Sequence, residues 1–250
     1  MAVNKLVKQF NEVPKLYHYT SFESACKIIA TKSLLFGKLD RMNDPMETQR
    51  AVFSNLDCEP IVWHKIQDGF RQISFSCDGK TEGFRISSMW GHYAECGTGV
   101  CLVLDKNALL SKCASKKMCH GKVHYVKDYY GHIIINTIEG IYANVRKLFF
   151  NKDKSWSPEQ EYRVVSYRSD IARLDISGCL LGVILSGSRD YESRYNESDF
   201  KAMSAILGCS ANSTLWFLDD FLGDWVLQTT GENPVTLASR TNLADYEIDV

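Results

Sequence analysis

The fold is indicated first by residues 16–36, whose sequence is LYHYTSFESACKIIATKSLLF. Residues 16–20 are rich in aromatic side chains, with Tyr17, His18 and Tyr19 at their centre, as is typical of a β-strand. Thr20 and Glu23 have the spacing of a capping box, which predicts that a helix begins there, and apolar side chains at 22, 25, 26 and 29 give that helix one buried face. Residues 33–36 predict a second short strand, so the stretch indicates a strand–helix–strand unit.

Strands outnumber helices along the rest of the chain. Apolar runs and alternation predict further strands at 72–77, 100–105, 123–126, 161–167, 180–185, 214–218 and 225–228. Helical periodicity predicts helices at 61–70, 133–150 and 198–207, and the polar segment 39–48, which contains Asn-Asp-Pro, predicts a loop. Because the helices do not alternate regularly with the strands, we expect an α+β fold rather than a doubly wound parallel sheet.

Composition bounds the class of protein. No repeat, linker or charge block divides the sequence, so we expect a single domain over residues 1–250, with an N-terminal extension at 1–13 and a C-terminal tail at 230–250. The 29 basic and 30 acidic side chains give a formal net charge of −1, which argues against a dedicated binder of duplex DNA or of an anionic membrane. Hydrophobic residues make up 45% of the chain, which excludes a disordered protein.

The spacing of the cysteines and the lack of a recognisable targeting segment in the sequence predict a cytoplasmic protein. The nine cysteines form no CxxC pair, and their nearest cluster with histidine (Cys113, Cys119, His120, His124) is spaced more loosely than zinc sites require, so no metal site is expected. The N-terminus lacks the apolar core of a signal peptide, and the longest apolar run, 179–185, is too short to span a bilayer. We therefore expect free thiols in a reducing compartment and no membrane association.

His18 is the first candidate functional residue. Alternation along the strand places Leu16, His18 and Thr20 on one face, and Tyr17 and Tyr19 on the other. A histidine in the middle of a strand and beside a helix start can hydrogen-bond a sugar hydroxyl or act as a base. The alternative is a half-buried histidine with a structural role.

Two further segments offer groups that could contact a ligand. Ser74 and Ser76 share one face of the strand at 72–77, which gives a hydroxyl-bearing wall opposite an apolar face, although a half-exposed sheet has the same alternation. Trp90 and Tyr93 lie in the aromatic segment 88–94 beside His92, where they could stack on a planar base or pack in a core.

The segment 156–163, WSPEQEYR, carries the strongest chemical signal. Alternation puts Glu159, Glu161 and Arg163 on one side of a strand. Two carboxylates about 7 Å apart on one face disfavour folding unless they pair with cations or take part in binding or catalysis. One interpretation is a carboxylate pair that stabilises a cationic, oxocarbenium-like centre. The other is that Arg163 simply neutralises Glu161.

Several separated motifs together resemble a bacterial family known as domain of unknown function 2971. They are the strand LYHYT, then FGKLDRMNDPME at 36–47, MWGHYAECGTGVCLVLD at 89–105, WSPEQEYRVV at 156–165 and GCLLGVILSG at 178–187. The matches run in one order from about residue 16 to residue 209. This family resemblance implies no activity.

A more distant resemblance does imply one. YHYTSFESACKIIATKSLL at 17–35 is similar to the start of DarT-like and RNA 2′-phosphotransferase-like members of the ADP-ribosyltransferase superfamily. Ser74-Phe75-Ser76 matches the Ser-x-Ser strand of that superfamily, and Glu159-Gln160-Glu161 matches its late Glu/Gln-x-Glu strand. The resemblance implies a mixed, mostly antiparallel split sheet flanked by helices, with NAD as a substrate and a role in bacterial defence or toxin biology.

The same resemblance implies roles for individual residues. His18, with its neighbours Tyr19 and Thr20, would contact a ribose of NAD, and Ser74 and Ser76 would brace the nicotinamide pocket. Tyr19 or Tyr93 would stack on nicotinamide, with Trp90 in the same aromatic wall. Glu161 would hold the ribose 2′-hydroxyl and stabilise the oxocarbenium ion, and Glu159 would orient the acceptor. Candidates for the phosphates are Arg41, Arg85 and Arg163.

Other function classes stay open at this point. The carboxylates Asp40, Asp44, Glu47, Glu159 and Glu161 could instead serve a metal-dependent phosphodiesterase or nuclease. The conspicuous residues could also form a non-catalytic nucleotide-binding regulatory module. For a transferase, the acceptor could be protein, nucleic acid, a small molecule or water, and the sequence does not fix the oligomeric state.

Overall fold

Strands dominate the fold in the computed structural model, which describes residues 12–44, 68–127, 143–167, 170–186, 215–221, 224–229 and 236–238. The strands are β1 (Lys15–Thr20), β2 (Ser33–Leu35), β3 (Gly37–Lys38), β4 (Arg71–Cys77), β5 (Val100–Asp105), β6 (Cys119–Lys122), β7 (His124–Val126), β8 (Asn151–Asp153), β9 (Glu161–Ser166), β10 (Arg173–Asp175), β11 (Leu180–Ser186), β12 (Leu215–Phe221), β13 (Asp224–Thr229) and β14 (Thr236–Ala238). The α-helices are α1 (Phe22–Thr31), α2 (Ser87–Tyr93), α3 (Lys106–Ser115) and α4 (Val145–Phe149). Short 3₁₀ helices cover Leu39–Arg41, Gly83–Arg85, Glu95–Gly97 and Lys154–Glu159.

Ten of these strands form one sheet in the order β14-β13-β12-β11-β5-β1-β4-β9-β6, with β3 also paired to β4. Within this sheet β11 and β12 run parallel, and the other described pairs are antiparallel. Two small sheets join β2 to β10 and β7 to β8. The α+β class and the mostly antiparallel sheet flanked by helices, predicted from the sequence, are confirmed in a single domain.

Two apolar layers cover the two faces of the sheet. On one face, α1 and α3 bury their apolar sides against Leu16, Phe75, Leu102 and Val164. On the other face, α2 packs over Tyr17, Tyr19, Cys101 and Val103. The alternation predicted for β1 is therefore confirmed, because Leu16 and Tyr17 enter different layers. No helix among the described residues is long and apolar enough to cross a membrane.

Most predicted strands are confirmed, and several other elements differ. Residue Ser21, not Thr20, caps α1, and its Oγ accepts a hydrogen bond from the Ser24 amide at 3.1 Å, because Thr20 is still part of β1. The sequence reasoning missed α3 and β6, whose polar surfaces mask their periodicity. It also missed α2 and the three short strands β3, β8 and β10, as well as β14. Residues 61–67, 133–142 and 198–207, where helices were predicted, lie outside the described residues.

The ladder between β1 and β4 is short. These strands pair at Leu16↔Cys77 and Tyr17↔Ser76, whereas β1 pairs with β5 along all six of its residues and β4 pairs with β9 at six positions. Beyond Tyr17, the strands no longer pair in the described structure, and the Nδ1 of His18 lies 3.2 Å from the carbonyl oxygen of Ser74. The sheet therefore opens between its two central strands.

Candidate functional site

A cleft of about 300 Å³ lies where β1 and β4 separate. Both strands contribute to its wall, together with the end of α2, the segment at 37–44 and the start of β9. The predicted functional residues that line it include His18, Tyr19, Ser74, Tyr93, Glu159 and Glu161. The structure thus gathers into one cavity groups that lie up to 143 positions apart in the sequence.

Glu161 is held at the cleft by two buried cations. Arg163 binds both of its carboxylate oxygens, through Nε to Oε1 and through Nη2 to Oε2 at 2.8 Å, and Lys152 Nζ lies 3.4 Å from Oε2. Burial alone would raise the pKa of Glu161, but the charge and hydrogen bonds of Arg163, with the charge of Lys152, outweigh burial and lower the pKa to about 2. Glu161 is therefore an anion at neutral pH.

Glu159 contacts the same lysine. Lys152 Nζ donates to Glu159 Oε2 at 2.7 Å, and the hydroxyl of Tyr93 donates to Oε1 at 2.8 Å. Burial raises the pKa of Glu159 above its ordinary value even though Lys152 opposes the shift. The two carboxylates, Lys152 and Arg163 form a cluster of four charges in which cations and anions balance.

A left-handed turn brings the two glutamates together. Glu159 is not on the strand as predicted: it ends the 3₁₀ helix, and β9 begins at Glu161. Gln160 between them has φ 47° and ψ 48°, and its Nε2 donates to the carbonyl oxygens of Cys77 and Thr81 at 3.1 and 2.6 Å. This clamp fixes the turn against the end of β4, so Glu159 reaches the cleft from the loop.

His18 presents a neutral imidazole. Burial lowers the pKa of His18 more than its contact with the Ser74 carbonyl raises it. Because a carbonyl oxygen can only accept, Nδ1 carries the proton, which leaves Nε2 as an acceptor. The ring also packs on Phe75, with a centroid distance of 5.7 Å.

Four other predicted site residues do not line the cleft. Trp90 is buried behind Tyr19, packs edge-on against it at 5.1 Å and donates its Nε1 hydrogen to the Phe84 carbonyl at 2.8 Å. Ser76 is 0% exposed because Tyr17 and Glu161 flank it on the neighbouring strands, and its Oγ has no hydrogen-bond partner among the described residues. Thr20 is half-buried at the end of β1, outside the lining.

Arg163 is the fourth. It is 0% exposed, and besides its pair with Glu161 it donates through Nη1 to the Phe149 carbonyl at 2.8 Å. The contacts of Arg163 make it the residue that positions Glu161. These contacts fit the interpretation that Arg163 neutralises Glu161. Arg163 does not line the cleft, so the contacts give no support to direct binding of a ligand by Arg163 there.

The predicted binding loop contributes to the rim of the cleft. Arg41 and Asn43 are exposed there, and Asp44 is buried in the wall. Glu47 lies outside the described residues. Arg41 is thus the predicted phosphate-binding candidate that lies at this cavity.

Lys152 is a residue of the candidate site that sequence reasoning missed. Its side chain is 4% exposed, lines the cleft and also lies over the Trp156 ring, with Nζ 4.4 Å from the centroid. The ammonium group occupies the space between Glu159 and Glu161 that a divalent cation would need. Within the described residues, no three His, Cys, Asp or Glu side chains converge closely enough to hold a metal ion.

Comparison with known proteins gives one match. Residues 89–164 match the family described as protein of unknown function (DUF2971). The matched stretch runs from α2 into β9 and contains Tyr93, Lys152, Glu159, Glu161 and Arg163. It supports the predicted family resemblance over this part of the chain, which is shorter than the predicted 16–209. Neither the curated proteins nor the solved structures gave a significant match.

Proposed function

We propose that this protein is an ADP-ribosyltransferase-like enzyme that cleaves the glycosidic bond between nicotinamide and ribose in NAD. The observation that carries the proposal is the opening of the sheet between β1 and β4, where His18, Ser74 and the ionised Glu161 line one cleft. In such a cleft a sugar can contact an imidazole and a carboxylate at the same time.

The chemistry requires a fixed anion at the ribose. When the bond from C1′ to the nicotinamide nitrogen breaks, the bonding electrons leave with nicotinamide, and positive charge develops on C1′ and the ring oxygen. A carboxylate at that position stabilises the transition state more than the ground state. Glu161 is suited to this role because its pKa of about 2 keeps it charged.

Each neighbouring group has a role in this proposal. Glu161 accepts from the ribose 2′-hydroxyl, and Nε2 of His18 accepts from another ribose hydroxyl. Tyr19 and Tyr93 offer rings to nicotinamide, and Ser74 braces its amide. Arg163 and Lys152 position Glu161, while Glu159 orients the acceptor that takes the ADP-ribose.

The size of the cleft limits which part of NAD it encloses. A volume of about 300 Å³ is at the lower end of ligand sites, so it suits the nicotinamide and its ribose rather than the whole dinucleotide. The remainder would extend past the rim, where Arg41 is exposed. Its guanidinium can bind a phosphate there.

Release of nicotinamide from NAD by the purified protein tests the proposal. We expect Glu161→Gln to abolish release and His18→Asn, which keeps a group able to donate to Ser74, to reduce release at least about tenfold. Asp175→Asn removes a carboxylate of β10 that is paired with Lys112 of α3 and does not line the cleft, so it should leave release unchanged. Thermal unfolding of each variant checks that it is folded at the assay temperature. If folded Glu161→Gln released nicotinamide as fast as the unsubstituted protein, the proposal would be wrong.

A non-catalytic nucleotide-binding module is the second candidate. The observation that favours it is the charge balance of the cluster. Because Arg163 and Lys152 already neutralise the carboxylate of Glu161, it stabilises a cationic transition state less. Such a module would be stabilised against heat by NAD without releasing nicotinamide. The same incubation, followed by both measurements, separates the two functions.

A further inference from the structure

A second cavity is lined by Glu161 as well. Its volume is about 600 Å³, and it is formed by the end of β4, the loop that follows, the start of α2 and residues 157–161. Glu161 lines both this cavity and the cleft. We call it the basic cavity because Lys80, Arg85 and Lys122 contribute to its wall.

The electrostatics of the basic cavity favour an anion. Its acidic lining residues are already engaged: Asp78 Oδ1 accepts from the Gly83 amide at 2.9 Å, and Glu161 is bound by Arg163. Lys80 and Lys122 are exposed at the cavity, so each can turn its ammonium group toward a ligand without losing a buried contact. The side chain of Arg85 is only 4% exposed, and its Nε lies 3.4 Å from Oε2 of Glu82, so Glu82 already balances part of its charge and the two exposed lysines carry most of the attraction for an anion.

Neutral donors complement these charges. Ser87, Ser88 and Thr81 bring hydroxyl groups to the same wall. Several hydroxyl donors around two or three cations match a phosphate, which offers three or more oxygen acceptors and is the group that arginine and lysine bind together.

We propose that the basic cavity, which shares Glu161 with the cleft, binds a phosphate-bearing ligand. That this ligand is the acceptor of ADP-ribose rests on the function proposed above, whereas its binding does not. An acceptor held there would lie in a cavity that shares Glu161 with the cleft proposed for NAD. A nucleophile of that ligand, and not water alone, could then attack C1′ as nicotinamide leaves.

Calorimetric titration tests this inference with three probes, which are inorganic phosphate, 5′-AMP and a short single-stranded oligonucleotide. The first two represent a free phosphate source and the third a nucleic-acid source. Binding of at least one probe is expected, with an affinity that falls about tenfold or more in the Lys80→Ala/Lys122→Ala variant. The matched control, Lys27→Ala/Lys147→Ala, removes two exposed charges outside both cavities and should bind as the unsubstituted protein does.

The outcomes separate this inference from the proposed enzyme function. Equal affinities in the two double variants, or no binding of any probe, would overturn it. Competition between NAD and the bound probe would overturn the assignment of a second ligand to the basic cavity, since the phosphates of NAD would then occupy it. Loss of probe binding with nicotinamide release intact supports a separate site. Probe binding without any nicotinamide release supports the cavity and removes only its assignment as an acceptor site.

Discussion

Lys152 places its ammonium group 2.7 Å from the Oε2 of Glu159, in the wall of a cleft where both side chains are almost completely buried. The same ammonium lies 3.4 Å from Glu161. One cation thus serves two carboxylates, while Arg163 supplies the second positive charge. Because each charge in this cluster depends on the others, the effects of substitutions should be strongly coupled.

Arg163→Met tests that dependence. It leaves Glu161 buried without its bidentate partner, and we expect the free energy of unfolding to fall by about 3–5 kcal/mol. Urea denaturation at neutral pH measures the change. Adding Glu161→Leu in the same chain should recover at least half of the loss, because no uncompensated carboxylate remains. If the double variant were less stable than Arg163→Met, the pairing would not explain the loss.

Stability should fall in acid because of Glu161. Its pKa is about 2 in the folded protein against an ordinary value of 4.5, so it contributes stability above pH 4.5 that is lost as the pH falls toward 2. The shift corresponds to about 3 kcal/mol. Urea denaturation at a series of pH values measures the loss, which should be smaller in Glu161→Gln.

Glu159 should act in the opposite direction. Its pKa is raised in the folded protein, so its protonation favours folding as the pH falls and partly offsets the effect of Glu161. Glu159→Gln should therefore steepen the acid loss of stability. A slope equal to that of the unsubstituted protein would show that Glu159 titrates normally.

Tyr93→Phe tests the hydrogen bond to Glu159. It removes the hydroxyl that lies 2.8 Å from Oε1 and keeps the ring, so we expect a loss of about 1–3 kcal/mol in unfolding free energy. The loss should shrink in a Glu159→Gln background, where the acceptor is no longer charged. A double-mutant cycle by urea denaturation gives the coupling free energy between Tyr93 and Glu159. A value near zero would mean that a hydrogen bond from the Tyr93 hydroxyl to water is as favourable as the bond to Glu159.

Gln160 permits a comparison of two substitutions. Ala and Gly both remove the side-chain bonds to Cys77 and Thr81, but only Gly adopts φ 47° without steric cost. Gln160→Ala should therefore be less stable than Gln160→Gly by about 1 kcal/mol. Equal stabilities would indicate that the turn relaxes once the clamp is gone.

Two glycines in neighbouring helices should respond in opposite directions. A Cβ at Gly83 would overlap the ring of Tyr17, so Gly83→Ala should cost about 1–3 kcal/mol. A Cβ at Gly91, inside α2, meets nothing within 4 Å, so Gly91→Ala should stabilise the protein by about 0.5–1 kcal/mol. Thermal or urea unfolding of both variants tests the packing of the 3₁₀ helix at 83–85 on Tyr17 and the open surroundings of Gly91 in α2.

The central strands and part of the site could be predicted from sequence because their signals are local. Alternation in 16–20 and 161–166, and the apolar run at 100–105, define β1, β9 and β5 directly. Lys152 gives no such signal, since it lies in the polar segment NKDKSW and is buried only because two glutamates compensate it. The difference between Tyr93 and Trp90 also depends on tertiary packing, because each is aromatic and only the rotation of α2 decides which one reaches the cleft.

The brevity of the contact between β1 and β4 has a mechanical consequence. Leu16↔Cys77 and Tyr17↔Ser76 are the described backbone pairs that join β1 to β4. By contrast, β1 pairs with β5 at six positions, and β4 pairs with β9 at six positions. Under load or thermal agitation the molecule should yield first along this seam. The part of the sheet that contains β1 and β5 would then move away from the part that contains β4 and β9, and the distance between β1 and β4 would set the width of the ligand that can enter.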